Sequence, residues 1–133
     1  MNYSVAGDIV CDCLVIGGGP AGSVSASIIA EAGYDVVLIE RAIHPRPHVG
    51  ESLMPATNEV LEHLGVQSRI DDLKFIRKVG VQFVNAAGKA SSPFFFRKHD
   101  DRPDSETWHV DRATLDHCLF EVASEKGART MES

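Results

Sequence analysis

No stretch of this sequence approaches the roughly 20 consecutive apolar residues that a membrane-spanning helix needs. The opening MNYSVAGDIV also lacks the charged start and long apolar run of a secretory signal. Both absences lead us to expect a cytoplasmic protein. Positive charge is scarce as well: 13 Lys and Arg stand against 19 Asp and Glu, a formal net charge of −6. Nucleic acid and anionic membrane surfaces are normally met with an excess of cations, so neither is expected as a partner. Any anion bound here must be held by a local constellation. Cysteine is limited to Cys11, Cys13 and Cys118. With no C-x-x-C and no paired histidines, zinc is not expected, and the three read as small buried hydrophobes. His44 and His48 have ligand-like spacing only on a helix, which Pro45 and Pro47 exclude. Internal repeats, low-complexity tracts and Ser/Gly linkers are also missing. With 44% hydrophobic and 24% charged residues in 133, one globular domain is the expectation.

What is present is an alternation of elements. VCDCLVI (10–16) is a short apolar run suited to a central strand buried on both faces. After GGGPAG, Val24, Ile28 and Ala32 recur at helical spacing and Gly33 supplies a stop. YDVVLIE then reads as a second buried strand. Strand, glycine turn, helix, strand is a βαβ unit over 10–40, and its strands are expected to be parallel. Further on, Pro55 opens a helix with Ala56, Val60, Leu61 and Leu64 on one stripe, ending at Gly65. VGVQFV and SPFFF flank a turn at Gly88 and predict a β-hairpin over 79–97. TWHV reads as a short strand. Asp111 then caps a helix over 111–127, with Leu115, Cys118, Leu119 and Val122 on one face. The closing RTMES has the look of another strand beginning.

The strongest motif is residues 17–22, which fit G-x-G-x-x-G with a strand before and a helix after. Glu40 stands at the end of the second strand, at about the 20-residue offset the dinucleotide-binding fingerprint requires. Gly17 permits the tight turn, Gly19 lets backbone approach a pyrophosphate, and Gly22 lets the helix pack close to the strand. Pro20 and Ala21 open a helix whose free N–H groups and partial positive charge suit phosphates. Glu40 can accept both hydroxyls of an adenosine ribose, and its charge opposes a 2′-phosphate. The plain alternative is a glycine-rich turn with an incidental acid nearby.

From 41 to 50 the chain carries Arg41, His44, Arg46 and His48 and no acid. Because the segment leaves the strand ending in Glu40, it begins at the adenosine end of a bound dinucleotide. Pro45 and Pro47 restrict its backbone and lower the ordering cost of binding.

CDCLVIGGGPAGS, VLIER, RPHVGESLMPATNEVLEHLGV and WHVDRATLDHCLFEVASEKGA together resemble the N-terminal part of the FAD-dependent monooxygenase superfamily. Within it, VGESLMP resembles the flavin-dependent halogenases and the geranylgeranyl reductase-like oxidoreductases. The resemblance implies an α/β, Rossmann-like FAD/NAD(P)-binding fold with a parallel sheet and a small β-hairpin insertion. The chain would supply an incomplete, N-terminal portion of that domain: the βαβ unit 10–40, a flavin strap and helix over 41–66, the hairpin and the last helix. By position it implies that Gly17, Gly19, Pro20, Ala21 and Gly22 meet the pyrophosphate and Glu40 the ribose, with Arg41 on the adenine side. Arg46 would face the cofactor, and Gly50, Glu51 and Ser52 would lie near the isoalloxazine. Arg112 would reach the phosphate region; a cation in a first helical turn opposes the macrodipole and so calls for an anionic partner. Pairing of Arg112 with Asp111, Asp116 or the acidic loop is the alternative.

Lys78, in RKVGVQF, falls where flavin-dependent halogenases carry the lysine that receives hypohalous acid and passes the halogen to an electron-rich substrate. That role needs an amine held away from bulk water. A solvated strand-edge lysine is the competing reading. The Trp-x-Trp-x-Ile-Pro segment of halogenases is not in the sequence, and Trp108 is the sole tryptophan. The later Gly-Asp flavin contact of the superfamily is missing too. The resemblance therefore points to the FAD-binding portion of a halogenase, inactive by itself. A hydroxylase or reductase of the same superfamily, a non-catalytic dinucleotide-binding fragment, and an NAD-binding module without flavin remain as alternatives. A halogenase would also imply a separate flavin reductase and a small-molecule or carrier-protein-tethered substrate.

Overall fold

In the computed structural model, which describes residues 9–102 and 105–133, the chain runs β1 (Cys13–Ile16), α1 (Pro20–Glu31), β2 (Val36–Glu40), α2 (Thr57–His63), α3 (Gln67–Asp72), β3 (Ile76–Lys78), β4 (Gly80–Val81), β5 (Phe94–Phe95), β6 (Thr107–His109), α4 (Arg112–Glu125) and β7 (Arg129–Glu132). It divides into two compact units: residues up to Arg46 together with Asp116–Ser133, and Pro47–Leu115.

In the first unit β1 and β2 pair in parallel from Cys13↔Val36 to Ile16↔Ile39, the βαβ arrangement expected. The closing segment does form a strand. β7 joins the other edge of β2 in parallel, from Val37↔Arg129 to Glu40↔Glu132, giving the order β1-β2-β7. The central strand is therefore β2, whose Val36, Val37 and Leu38 are buried, and the expectation that β1 is buried on both faces fails. Cys13 and Val15 pack on the core, but Leu14 is 53% and Ile16 77% exposed, because only the alternate face is covered. Cys11 precedes the strand and, like Cys13, is only partly buried; Cys118 is buried, and all three are free thiols.

Helix α1 departs from its predicted stripe in an instructive way. It buries Ser23, Ala26 and Ser27, while Ile28 is 37% exposed. The reason lies at Gly22, where a Cβ would stand 1.8 Å from the Gly17 carbonyl oxygen and 3.4 Å from Val15 Cγ1. A helix this close to the strand has room only for small side chains, so bulk goes to its flanks. The buried hydroxyls stay satisfied, Ser23 Oγ donating to Gly18 O at 3.2 Å and Ser27 Oγ to Ser23 O at 2.7 Å. Helix α4 follows its stripe: Leu115, Cys118, Leu119 and Val122 are all buried, joined by Phe120 and Ala123. The Asp111 carboxylate accepts the Thr114 N–H at 3.0 Å and the Thr114 hydroxyl. These bonds to Thr114 hold the acid below its ordinary pKa. Asp111→Ala is expected to cost about 1 kcal/mol of stability, the usual worth of such a cap, read as a lower urea midpoint at unchanged slope.

In the second unit β3 pairs antiparallel with β6, and β4 with β5. The bridge Val84↔Ala90 extends the latter pair into the expected hairpin. The predicted strand from Val79 is reduced to β4 and the bridge at Val84, and β3, just before it, was not anticipated and takes a different partner. Gly80 opens β4, and a Cβ there would lie 2.4 Å from the Phe94 carbonyl oxygen. On α2, Leu61 and Leu64 are buried as expected, whereas Ala56 and Val60 face outward. Their place is taken by Asn58, whose Nδ2 donates to the Glu106 carbonyl at 2.7 Å. Neither α3, which buries Ile70, nor the 3-10 turn at Phe96–Lys98 was anticipated.

Candidate functional site

The glycine turn and Glu40 meet directly. Glu40 follows Val36 and Leu38 at period two, on the same face of β2, and is 8% exposed. Its Oε2 accepts the Gly18 N–H at 2.7 Å and Arg46 Nη2 at 3.2 Å, and its Oε1 accepts the Ala42 N–H at 3.1 Å. Burial alone would raise the Glu40 pKa, but the Gly18 N–H, the Arg46 guanidinium and the Ala42 N–H together hold it below the ordinary value. A carboxylate offers about four acceptor positions, so these three donors leave acceptor capacity for an external donor.

With a depressed folded pKa, the stability contributed by ionised Glu40 is complete above about 4.5 and is lost as pH falls through the lower folded value. Acid unfolding of the wild type is therefore expected to be steeper below that pH than that of Glu40→Gln, followed by far-UV circular dichroism.

The turn itself has the features assigned to it. Gly17 has φ +106, the left-handed region that favours glycine. At Gly19 an added Cβ would meet nothing nearer than Arg46 Nη2 at 3.9 Å, so this face of the turn is open. Pro20 begins α1, no side chain caps the helix, and its first turn holds no acid. A helix start without a side-chain cap can offer its first N–H groups to an external acceptor.

Arg46 lies over the same turn. Besides Glu40, its Nη1 is 3.7 Å from Asp116 Oδ2, and its buried Nε has no hydrogen-bond partner among the described residues. A buried guanidinium N–H without an acceptor, beside an uncapped helix start, is a donor set suited to an anion. Arg41 is exposed at the end of β2.

In the second unit, residues 50–53 line up along β6. Val110 N–H donates to Glu51 O at 2.8 Å, Ser52 bridges His109, and Leu53 N–H donates to Trp108 O at 3.1 Å. Glu51 and Ser52 are exposed. Gly50 has φ +106, and a Cβ on it would be 2.9 Å from Arg112 Nη1. That nitrogen donates to the carbonyls of Val49 at 2.8 Å and Gly50 at 3.3 Å. Arg112 thus braces the backbone at Val49 and Gly50.

Lys78 is buried, which removes the solvated-edge reading. Its Nζ donates to Leu53 O at 2.7 Å, lies 3.8 Å from Met54 Sδ and stands 5.5 Å over the Phe96 ring. Burial lowers its pKa. An open cleft of about 320 Å³ adjoins it, lined also by Arg77, Val79, Phe94, Phe95 and His109.

Sequence reasoning missed three groups in the first unit. Phe120 presses against the turn: a Cβ on Gly18 would be 2.8 Å from its ring. Asp116, fully buried, shares Arg46 with Glu40. His44 and Glu132 pair at 2.5 Å. Phe120 and Asp116 sit on the apolar side of a legible helix and were within reach of the pattern. His44 and Glu132 are 88 residues apart, with no periodic signal joining them. Among the described residues no cluster of three or more His, Cys, Asp or Glu could hold a metal, and no helix is long and apolar enough to cross a membrane.

The parallel βαβ unit with this turn and acid gives the chain a Rossmann-like α/β fold. Residues 12–101 match the family model for tryptophan halogenase. The flavin-dependent halogenase armH5 of Armillaria mellea is 40% identical over 119 residues, 90% of this chain and 22% of its own length. The 1H-pyrrole-2-carbonyl-(peptidyl-carrier protein) chlorinase of Pseudomonas fluorescens is 35% identical over 137 residues, 91% of this chain and 30% of its own. The myxobacterial chondrochloren halogenase CndH superposes with a TM-score of 0.85 at 36% identity, covering 94% of this chain and 29% of that one. The chain belongs to the tryptophan halogenase family, whose flavin-dependent members use FAD. It spans 22% to 30% of the lengths of these relatives.

Proposed function

We propose that this chain is the FAD-binding portion of a flavin-dependent halogenase that acts on an aromatic or other electron-rich substrate. The observation that carries this reading is Lys78, a buried amine held by one backbone carbonyl.

The residues present suit the cofactor. Gly17, Gly19, Pro20, Ala21 and Gly22 would hold the pyrophosphate against the uncapped start of α1, with Arg46 Nε as a further donor. Glu40 would take a ribose hydroxyl on its remaining acceptor position, and Arg41 would border the adenine. Gly50, Glu51 and Ser52, braced by Arg112, would form the strap toward the flavin ring. When bound and reduced, by a separate reductase, FAD would supply the electrons that activate molecular oxygen, and that oxygen would be the oxidant that converts halide to hypohalous acid.

Lys78 acts after that. Its amine hydrogen-bonds hypohalous acid and orients the halogen toward the substrate. The carbon–halogen bond forms as the oxygen–halogen bond breaks, and the departing hydroxide leaves as water with the displaced proton. Burial reduces the amine's contact with bulk water and shifts its pKa downward, both of which favour this handover. The similarity to a chlorinase of a carrier-bound pyrrole supports a tethered substrate as one option.

The test is product analysis of the intact polypeptide with FAD, a reductase, oxygen and candidate aromatic substrates, with and without chloride or bromide. Halide-dependent halogenated product is expected. An oxygenated product indifferent to halide would replace the reading with a hydroxylase.

A further inference from the structure

His44 and Glu132 have no part in the function proposed above, yet they are built into the first unit with care. The His44 side chain is fully buried. Its backbone N–H donates to Glu132 Oε1 at 2.9 Å, and its Nδ1 meets the same oxygen at 2.5 Å. A carboxylate oxygen accepts, so with an Nδ1–H tautomer both contacts are hydrogen bonds to Glu132, which then holds the His44 backbone and its ring together. The His44 ring also packs on Phe120 at 4.8 Å between centroids, and Phe120 is the ring that closes on Gly18.

The placement gives this pair its meaning. Glu132 ends β7 directly beside Glu40 in the sheet register. From Glu40 the chain leaves the sheet and must return within six residues to bring Arg46 Nη2 back to Glu40 Oε2. His44 lies on that excursion, and its bonds to Glu132 are its fastening to the sheet. Packing alone would not need them, since an apolar ring would fill the space against Phe120 without an Nδ1–H.

We propose that Glu132 and His44 form a latch that positions Arg46 over the glycine turn and so sets the affinity for the diphosphate end of FAD; this rests on the FAD-binding reading above. Both are positioning residues that act through Arg46.

The test is equilibrium titration of oxidised FAD, followed by flavin fluorescence, into the intact apo-polypeptide and its variants, with thermal melting as the check of folding. Glu132→Ala is expected to weaken FAD by about tenfold or more, the scale of losing hydrogen bonds to a charged group. Glu132→Gln keeps an acceptor oxygen and is expected to stay within about threefold. The decisive arm is the Arg46→Ala background, where Glu132→Ala is expected to change affinity less than about twofold, because coupled residues are not additive. Should Glu132→Ala fail to fold, His44→Phe keeps the ring on Phe120, removes the Nδ1–H, and is expected to weaken FAD in the same Arg46-dependent way. Undiminished affinity in these variants, or an equal loss with and without Arg46, overturns the latch. Wild-type protein that takes up no FAD overturns the proposed function itself.

Discussion

Lys78→Ala in the intact polypeptide is expected to lower halogenation by about 10²–10⁴, the range seen when a positioned proton-handling or hydrogen-bonding group is removed. FAD affinity is expected to hold within about threefold, because nothing on the glycine turn, Glu40 or Arg46 changes. Single-turnover product formation with pre-reduced flavin, beside a flavin titration, separates the two effects. Retained halogenation would remove Lys78 from the mechanism. The same residue carries a stability signature of known sign. A buried amine whose folded pKa is depressed binds its proton less readily than the unfolded chain does. Stability therefore rises as pH increases from the folded value toward 10.5, the ordinary lysine value. Lys78→Met should lack this rise in alkaline denaturant melts.

The second large effect is expected at Gly22. An alanine there places Cβ 1.8 Å from the Gly17 carbonyl oxygen and 3.0 Å from its carbon, and these are backbone atoms that cannot rotate aside. Relief requires α1 to lift from β1 or the turn to open, and either breaks the fit of Ser23, Ala26 and Ser27 in the core. A loss of about 3 kcal/mol, the upper end of overpacking costs, together with loss of measurable FAD uptake, is expected for Gly22→Ala. Ser25→Ala, on the exposed side of the same helix, is the control and is expected to melt and bind as the wild type does. Normal FAD uptake by Gly22→Ala would show that the turn does not grip the cofactor.

The parts legible in the sequence are those where one local rule dominates. The glycine turn and Glu40 could be read because tight turning, close packing and an acid at a strand end each demand a particular residue at a particular spacing. Helix α4 could be read because Leu115, Cys118, Leu119 and Val122 repeat at the helical period. Misreadings arose where a tertiary contact outweighed the pattern. Close approach at Gly22 handed the buried face of α1 to serines and alanine, although Val24 and Ile28 are the more hydrophobic. Close approach of Gly80 to the Phe94 carbonyl sets the short β4, while β3 forms just upstream of the apolar run, where the residues carry no strand signal. Whether Lys78 was solvated or buried depended on the Leu53 carbonyl, 25 residues away. The pairing of His44 with Glu132 exists only because β7 docks beside β2, a long-range event that no window of sequence reports.

The half-covered first strand has a practical consequence. Leu14 and Ile16 stand in solvent on a strand that bonds to a neighbour along one edge only, among the described residues. A row of open peptide groups flanked by aliphatic side chains is a template for stacking against another chain. Preparations of these 133 residues alone would thus be prone to clump, and weak flavin uptake by such material would measure sticking between molecules as much as the quality of the nucleotide grip.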